Sequence, residues 1–287
     1  MKFIPLASAR DVAWTDTVST IDGLPLRDSG SWIEEKHKRL EYFAKMFSSA
    51  MKPSAKKQGW QHRVYLELFS GPGRCWVKSE SREELGSPLR IIEHDFTRFI
   101  FVDIDTKAAR ALERRLSAHP NAERVEIWNG DCAEVVDQLG IPKDSLTLAF
   151  IDPTGIGHAP FDLVRKLRAK TRCDLLINIQ HGMGIKMNLH QYLPDADEDC
   201  ALTQFLGDES WKALKGLPTD SFFIEFLKKY RRKLADLGFK FSDNQVLIRN
   251  DRNLPLYLLL FASGHPKGQD FWNKALSGSD PQREFGF

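Results

Sequence analysis

The sequence predicts a doubly wound α/β fold: a mostly parallel sheet of seven strands, with an N-terminal helical extension and a C-terminal antiparallel hairpin. Three observations predict it. Short apolar runs alternate with helical segments from Arg63 onward, the pattern of strands buried on both faces of a parallel sheet. Glycine or aspartate follows the first four of those runs, as in loops that bind ligands at the carboxyl ends of parallel strands. The last two runs are separated only by Asn250-Asp251-Arg252-Asn253. A connection that short joins antiparallel neighbours, since a parallel crossover needs about a dozen residues or more.

Composition sets the frame. A chain of 287 residues fits one large decorated unit or two smaller domains. An apolar fraction of 42% and a charged fraction of 28% are those of a globular chain with a core of useful size. The net charge of +2 neither demands nor excludes a nucleic-acid partner, because a local patch matters more than the total. Cys75, Cys132, Cys173 and Cys200 lie far apart with no C-x-x-C pair, so reduced thiols are expected rather than a metal site. The opening residues are too weakly apolar for a signal peptide, and no window reaches the roughly 20 apolar residues of a membrane span. A cytoplasmic protein without a membrane partner is expected.

Element by element, the first thirty residues read as irregular, with Asp22-Gly23, Pro25 and Gly30 as turn formers. A helix follows, with Ser31 as its cap and Glu34 completing a capping box. Its apolar positions Ile33, Leu40, Phe43, Phe47 and Met51 recur at helical spacing and predict packing against a larger body. Residues 52–59 read as a basic loop. The chain therefore divides into an extension over 1–60 with one amphipathic helix, an α/β domain over 61–276 with an insertion at about 182–218, and a tail over 277–287. Strands are expected at 64–69, 99–102, 125–128, 146–151 and 174–179, then at 245–249 and 256–262. Helices open at Ser87-Pro88, with Ser87 as cap, at about Asp105 and near Pro160, and a long amphipathic helix runs over about 221–237.

The strand ends carry the chemistry. After the first strand, Glu67-Leu-Phe-Ser70-Gly71-Pro-Gly73 offers two glycines that let backbone approach a ligand, with Glu67 placed to face an ammonium group. A dinucleotide fingerprint would need a third glycine where Trp76 stands and a helix directly after the loop. After the second strand, Asp103 is the carboxylate suited to ribose hydroxyls, with Ile104 beside it, while Asp105 reads as a helix cap. After the third, Asp131 suits an adenine amine and the backbone N–H of Cys132 the ring, a helix cap being the structural alternative. After the fourth, Asp152 in Asp-Pro-Thr154-Gly155 could orient or deprotonate a nucleophile. No aromatic follows it to stack on a flipped base. After the fifth, Gln180 and His181 would sit beside the acceptor, His181 as a proton carrier, while Asn178 reads as a buried strand-end residue. His37 and His158 read as structural or solvated.

In this order, and closed by the hairpin, these features are the layout of a Rossmann-like class I methyltransferase sheet. The expected cofactor is S-adenosylmethionine, held by Glu67, Ser70, Gly71 and Gly73 at its methionine end, by Asp103 and Ile104 at the ribose, and by Asp131 and Cys132 at the adenine.

The chain also resembles the three-Cys-motif partner family, a bacterial group with a methyltransferase-like sheet. The resemblance is carried by Trp32 with Glu35-Lys36-His37 and Leu40, by the run from Leu66 to Gly73, and by Gly86-Ser87-Pro88-Leu89. It continues through Phe101 to Asp105, Phe150 to Gly155, Asp174 to Asn178, Tyr257 to Ser263, and His265-Pro266, spanning roughly residues 30 to 276. It implies association with a three-Cys-motif protein of radical S-adenosylmethionine type, whose cysteines are not those of this chain. The family often has an aromatic where Thr154 stands, so no stacking role is expected at that position.

Three readings stand. The first is a methyltransferase whose acceptor is a nucleic acid, RNA before DNA. The second is a non-catalytic S-adenosylmethionine- or nucleoside-binding partner subunit, since fold does not establish function. The third is a metal-dependent hydrolase or nuclease built on Asp103, Asp105, Asp131 and Asp152, ranked last. Basic clusters at 52–57 with His62 and Arg63, at Arg110, Arg114 and Arg115, and at 228–233 read as solvated faces unless they share a side with the strand ends.

Overall fold

The computed structural model describes residues 1–12, 17–53, 60–181, 200–241 and 245–278. Its strands are β1 (Lys2–Pro5), β2 (Arg27–Ser29), β3 (His62–Leu68), β4 (Arg74–Val77), β5 (Arg82–Leu85), β6 (Arg98–Asp103), β7 (Val125–Asn129), β8 (Ser145–Ile151), β9 (Arg172–Ile179), β10 (Lys240–Phe241), β11 (Val246–Arg249) and β12 (Pro255–Ser263). Its helices are α1 (Trp32–Ala50), α2 (Ser87–Ile91), α3 (Thr106–Leu116), α4 (Cys132–Gln138), α5 (Phe161–Lys170), α6 (Ala201–Leu206), α7 (Thr219–Asp236) and α8 (Pro266–Gly278).

Nine strands form the main sheet in the order β1-β7-β6-β3-β8-β9-β12-β10, with β11 also paired to β12. Pairing is parallel from β1 across to β9 and antiparallel where β12 meets β9, β10 and β11. The strand order reverses at β3, which lies between β6 and β8. That switch point opens a crevice at the carboxyl ends of the strands, and the glycine loop lies there.

Alternation along the strands explains the two covered faces. Val64, Leu66 and Leu68 of β3 join a core with α4, α5, α6 and α7. Tyr65 of β3 joins the other core, built on α1, α2, α3 and α8. On that side Phe43 of α1 meets Phe261 of β12 at 5.0 Å and Trp272 of α8 at 5.7 Å, both edge-on. Truncating Phe43 to alanine would cost about 3–5 kcal/mol, because packed neighbours refill such a void only in part. No helix among the described residues is long and apolar enough to cross a membrane.

All seven expected strands are present, and the structure corrects the reading around them. The first thirty residues, read as irregular, contain β1, which adds to the open edge of β7 in parallel. Four residues with no alternation carry no strand signal of their own; the free edge of β7 makes the strand. The polar run between Gly73 and Ser87 folds into the β4–β5 hairpin, which joins β2 in a small second sheet. Ser31 does not cap α1 through its side chain. It adopts helical angles (φ −53°, ψ −31°), and its hydroxyl donates to Asp251 instead. Ser87 is likewise the first residue of α2 rather than its cap, which is Gly86. Of the expected insertion, α6 and the turns to Pro218 are described and residues 182–199 lie outside the described residues, as do 54–59 of the basic loop and 279–287 of the tail.

Candidate functional site

Two cavities flank the loop after β3. The smaller, of about 180 Å³, is lined by Ser70, Gly71 and Gly73 on one side and by Lys36, Asp152 and Asn178 on the other. The larger, of about 500 Å³, is lined by Ile104, Asp131 and Cys132 together with Arg10, Val12, His158 and Leu163. Phe69 borders both. Six of the eight expected cofactor residues therefore stand on a cavity wall.

The loop reaches this position through left-handed backbone at Phe69 (φ 69°), Gly71 (φ 66°) and Gly73 (φ 88°). Glycine is required at 73, where a Cβ would lie 2.9 Å from Leu112 Cδ1. Asp103 ties the loop to the end of β6. One carboxylate oxygen accepts from Gly71 N–H at 2.7 Å and the other from Asp105 N–H at 2.9 Å. Burial pushes the Asp103 carboxyl above its ordinary pKa, against those two hydrogen bonds. Asp103 itself lines neither cavity, but each oxygen retains a lone pair for a further donor. Asp105 caps α3 through Ala108 N–H at 2.9 Å, as expected. Asp131 combines both readings: it caps α4 through Ala133 N–H at 2.8 Å and faces the larger cavity.

Glu67 is placed differently from the expectation. It is 1% exposed and lines neither cavity. Tyr65 Oη donates to it at 2.8 Å, and Ser87 Oγ donates from the cavity side. Burial pushes its carboxyl up to about 8, against the hydrogen bonds from Ser87 and Tyr65.

Asp152 lies in a cluster. Its Oδ2 accepts from Lys36 Nζ at 2.5 Å and its Oδ1 from Asn178 Nδ2 at 2.6 Å. Burial opposes ionisation of Asp152, but the Lys36 charge and these hydrogen bonds outweigh it and hold the carboxyl below its ordinary pKa. Gln180 Nε2 fixes the turn by donating to Pro153 O at 2.8 Å. Two buried polar atoms on this wall, Asn178 Oδ1 and Ser70 Oγ, have no hydrogen-bond partner. Buried polar atoms are nearly always paired, so two orphans among the residues of one cavity wall are consistent with a ligand that brings groups for them.

Lys36 stands in this cluster, and site reasoning from the sequence missed it. Its signal was a lysine on the apolar stripe of α1, one turn from Ile33 and Leu40. Trp32 and Tyr257 also line the smaller cavity, which supplies the aromatic faces absent beside Thr154. His181 packs edge-on against Phe223 at 4.0 Å and is not among the residues lining either cavity. Burial pushes His37 down to about 3; its Nδ1 lies 3.2 Å from Leu85 O, and the residue lines the smaller cavity beside Lys36. His158 Nδ1 lies 2.8 Å from Thr154 Oγ1.

The four aspartates of the hydrolase reading do not converge, and among the described residues no three His, Cys, Asp or Glu side chains are grouped to hold a metal. The basic helices are also mostly committed. Arg115, expected on a solvated face, is 3% exposed and donates to Asp22, Pro25 O and Pro72 O. On α7, Lys228 pairs with Glu225 and Lys233 with Asp208.

No family model matches the chain, and no curated protein matches its sequence. Among solved structures the chain is similar in fold to an O-methyltransferase from Bacillus cereus in complex with S-adenosylhomocysteine, at 9% identity over 84% of each chain and a TM-score of 0.46. It is also similar to the O-methyltransferase TomG from Streptomyces achromogenes, involved in tomaymycin synthesis and in complex with S-adenosylmethionine, at 13% identity over 80% of each chain and a TM-score of 0.45. Likeness at that level reaches no further than the general arrangement of sheet and helices.

Proposed function

We propose that the protein binds S-adenosylmethionine across the two cavities and methylates a nucleic-acid base, in RNA first. The observation that carries this reading is the glycine loop with a cavity on each side, bonded at Gly71 to Asp103. Adenine would take the larger cavity, where Ile104, Asp131 and Cys132 line the wall. The ribose hydroxyls would use the remaining lone pairs of Asp103. The methionine end would pass over Gly71 and Gly73 into the smaller cavity, where Ser70 Oγ and Asn178 Oδ1 await partners. Bound there, the cofactor would supply an activated methyl group.

The chain's own residues do the rest by positioning. Trp32 and Tyr257 offer aromatic faces to a base, and stacking on such faces is worth about 1–3 kcal/mol per base. Lys36 keeps Asp152 ionised, so Asp152 accepts a hydrogen bond from the nucleophile and orients it. With its pKa depressed, Asp152 is a weak general base near neutrality.

That weakness is what favours a second reading. In it the protein is a non-catalytic nucleoside-binding subunit of the three-Cys-motif protein, of radical S-adenosylmethionine type, whose association the sequence resemblance implies.

Titration calorimetry with S-adenosylmethionine and S-adenosylhomocysteine on wild type and Asp103→Ala tests both. The proposal expects binding by wild type and loss of about tenfold or more on substitution, with the ribose contact gone. Absence of binding by wild type would sink both readings. Binding without methyl transfer to total RNA, DNA or protein would favour the second.

A further inference from the structure

Residues 6–12 cross the carboxyl ends of β7 and β6 as a strap, and every link is a specific hydrogen bond. Leu6 N–H donates to Asn129 O at 2.8 Å, and Asp131 N–H to Ser8 Oγ at 2.8 Å. Arg10 exchanges backbone bonds with the loop after β6, its N–H to Ile104 O and its C=O from Thr106 N–H, both at 3.0 Å. Val12 N–H then donates to Asp105 Oδ2 at 2.9 Å. Asp105 therefore holds two things, the first turn of α3 with one oxygen and the strap with the other.

The strap ends on the larger cavity, with Arg10 and Val12 on its wall. Val12 is one of the few large apolar side chains left exposed, at 39%. An apolar side chain set on a cavity wall by a hydrogen-bonded main chain gains most when a flat apolar ligand covers it. Gly130 shows how closely the strap is seated. A Cβ there would lie 2.8 Å from Leu6 Cβ and 2.9 Å from Ser8 Oγ, so only glycine lets the two segments meet.

We propose that the strap of residues 6–12 is the outer wall of the nucleoside pocket, with Val12 covering the base of the bound nucleoside and Asp105 positioning it. This rests on the cofactor reading above. It adds binding residues from a segment remote in sequence from every strand-end motif, and it makes nucleoside affinity depend on that segment.

The test uses two probes, S-adenosylhomocysteine and 5′-methylthioadenosine, which share the nucleoside and differ in the aminocarboxylate. Val12→Ser is an exposed change expected to leave the thermal midpoint within about 1 °C of wild type. It should weaken both probes equally, by about fivefold to tenfold, as loss of one apolar contact does. Gly130→Ala, which lifts the strap, should weaken both by at least as much. Wild-type affinity for both probes in both variants overturns the inference and leaves the cofactor reading standing. A loss confined to S-adenosylhomocysteine also overturns it, because the effect would then lie at the amino-acid end. Failure of wild type to bind either probe overturns the cofactor reading and the strap's role with it.

Discussion

Lys36 of α1 and Asp152 at the end of β8 form a 2.5 Å ion pair between side chains only 8% and 19% exposed, 116 residues apart in sequence. It joins α1 to the turn that follows β8. A pair this enclosed behaves unlike a surface salt bridge, because a lone buried charge is left when one partner goes.

Lys36→Met should therefore destabilise the protein by about 3 kcal/mol at pH 7, and Lys36→Met with Asp152→Leu should recover most of that loss. Urea unfolding of the two variants measures it; a single-variant loss under about 1 kcal/mol would mean water already screens the pair. The sign with pH follows from the depressed Asp152 pKa. Its contribution is present above the unfolded carboxylate value of about 3.9 and is lost as pH falls through the lower folded value. In Lys36→Met this acid-side loss should vanish.

Glu67 should act in the opposite direction. Its carboxyl rises from 4.5 to about 8 in the folded protein, so its contribution is fully present below 4.5 and is lost as pH rises through 8. Glu67→Gln keeps the shape and removes the titration. The variant should gain stability relative to wild type between pH 5 and pH 9, read as thermal midpoints across that range. Parallel pH profiles for the two proteins would show that Glu67 is ionised in the fold.

Arg115 binds the loop before β2 to the glycine loop through Asp22, Pro25 O and Pro72 O. Arg115→Met leaves those acceptors unpaired and should cost about 3 kcal/mol in denaturant unfolding. The Arg115 guanidinium holds Asp22 down to about 2. The Asp22 contribution is thus fully present above the unfolded carboxylate pKa and is lost as pH falls from there through the folded value of about 2. Arg115→Met should remove this acid sensitivity too.

In the proposed reading Trp32 and Tyr257, on the wall of the smaller cavity, hold the acceptor base. Trp32→Ala and Tyr257→Ala should each raise KM for an RNA acceptor by about tenfold, the scale of one lost stack. Affinity for S-adenosylhomocysteine should stay within about twofold of wild type. An equal loss in both measurements would place these rings at the cofactor instead.

By itself the sequence determined the sheet and the address of its crevice. Apolar strands, the glycine loop and the aspartates after β6, β7 and β8 are local signals: each strand buries both faces and each loop must turn at its carboxyl end. Tertiary structure alone decided what those residues do. Glu67 reads as a ligand contact until burial beside Tyr65 and Ser87 takes it off both cavity walls and raises its pKa. Asp152 reads as a candidate base until Lys36 arrives from α1. The strap has no pattern of its own, because an edge strand and a hydrogen-bonded crossing take their order from β7 and Asp105. Charge state, pairing and edge association depend on which distant groups exclude water, and no run of neighbouring residues encodes that.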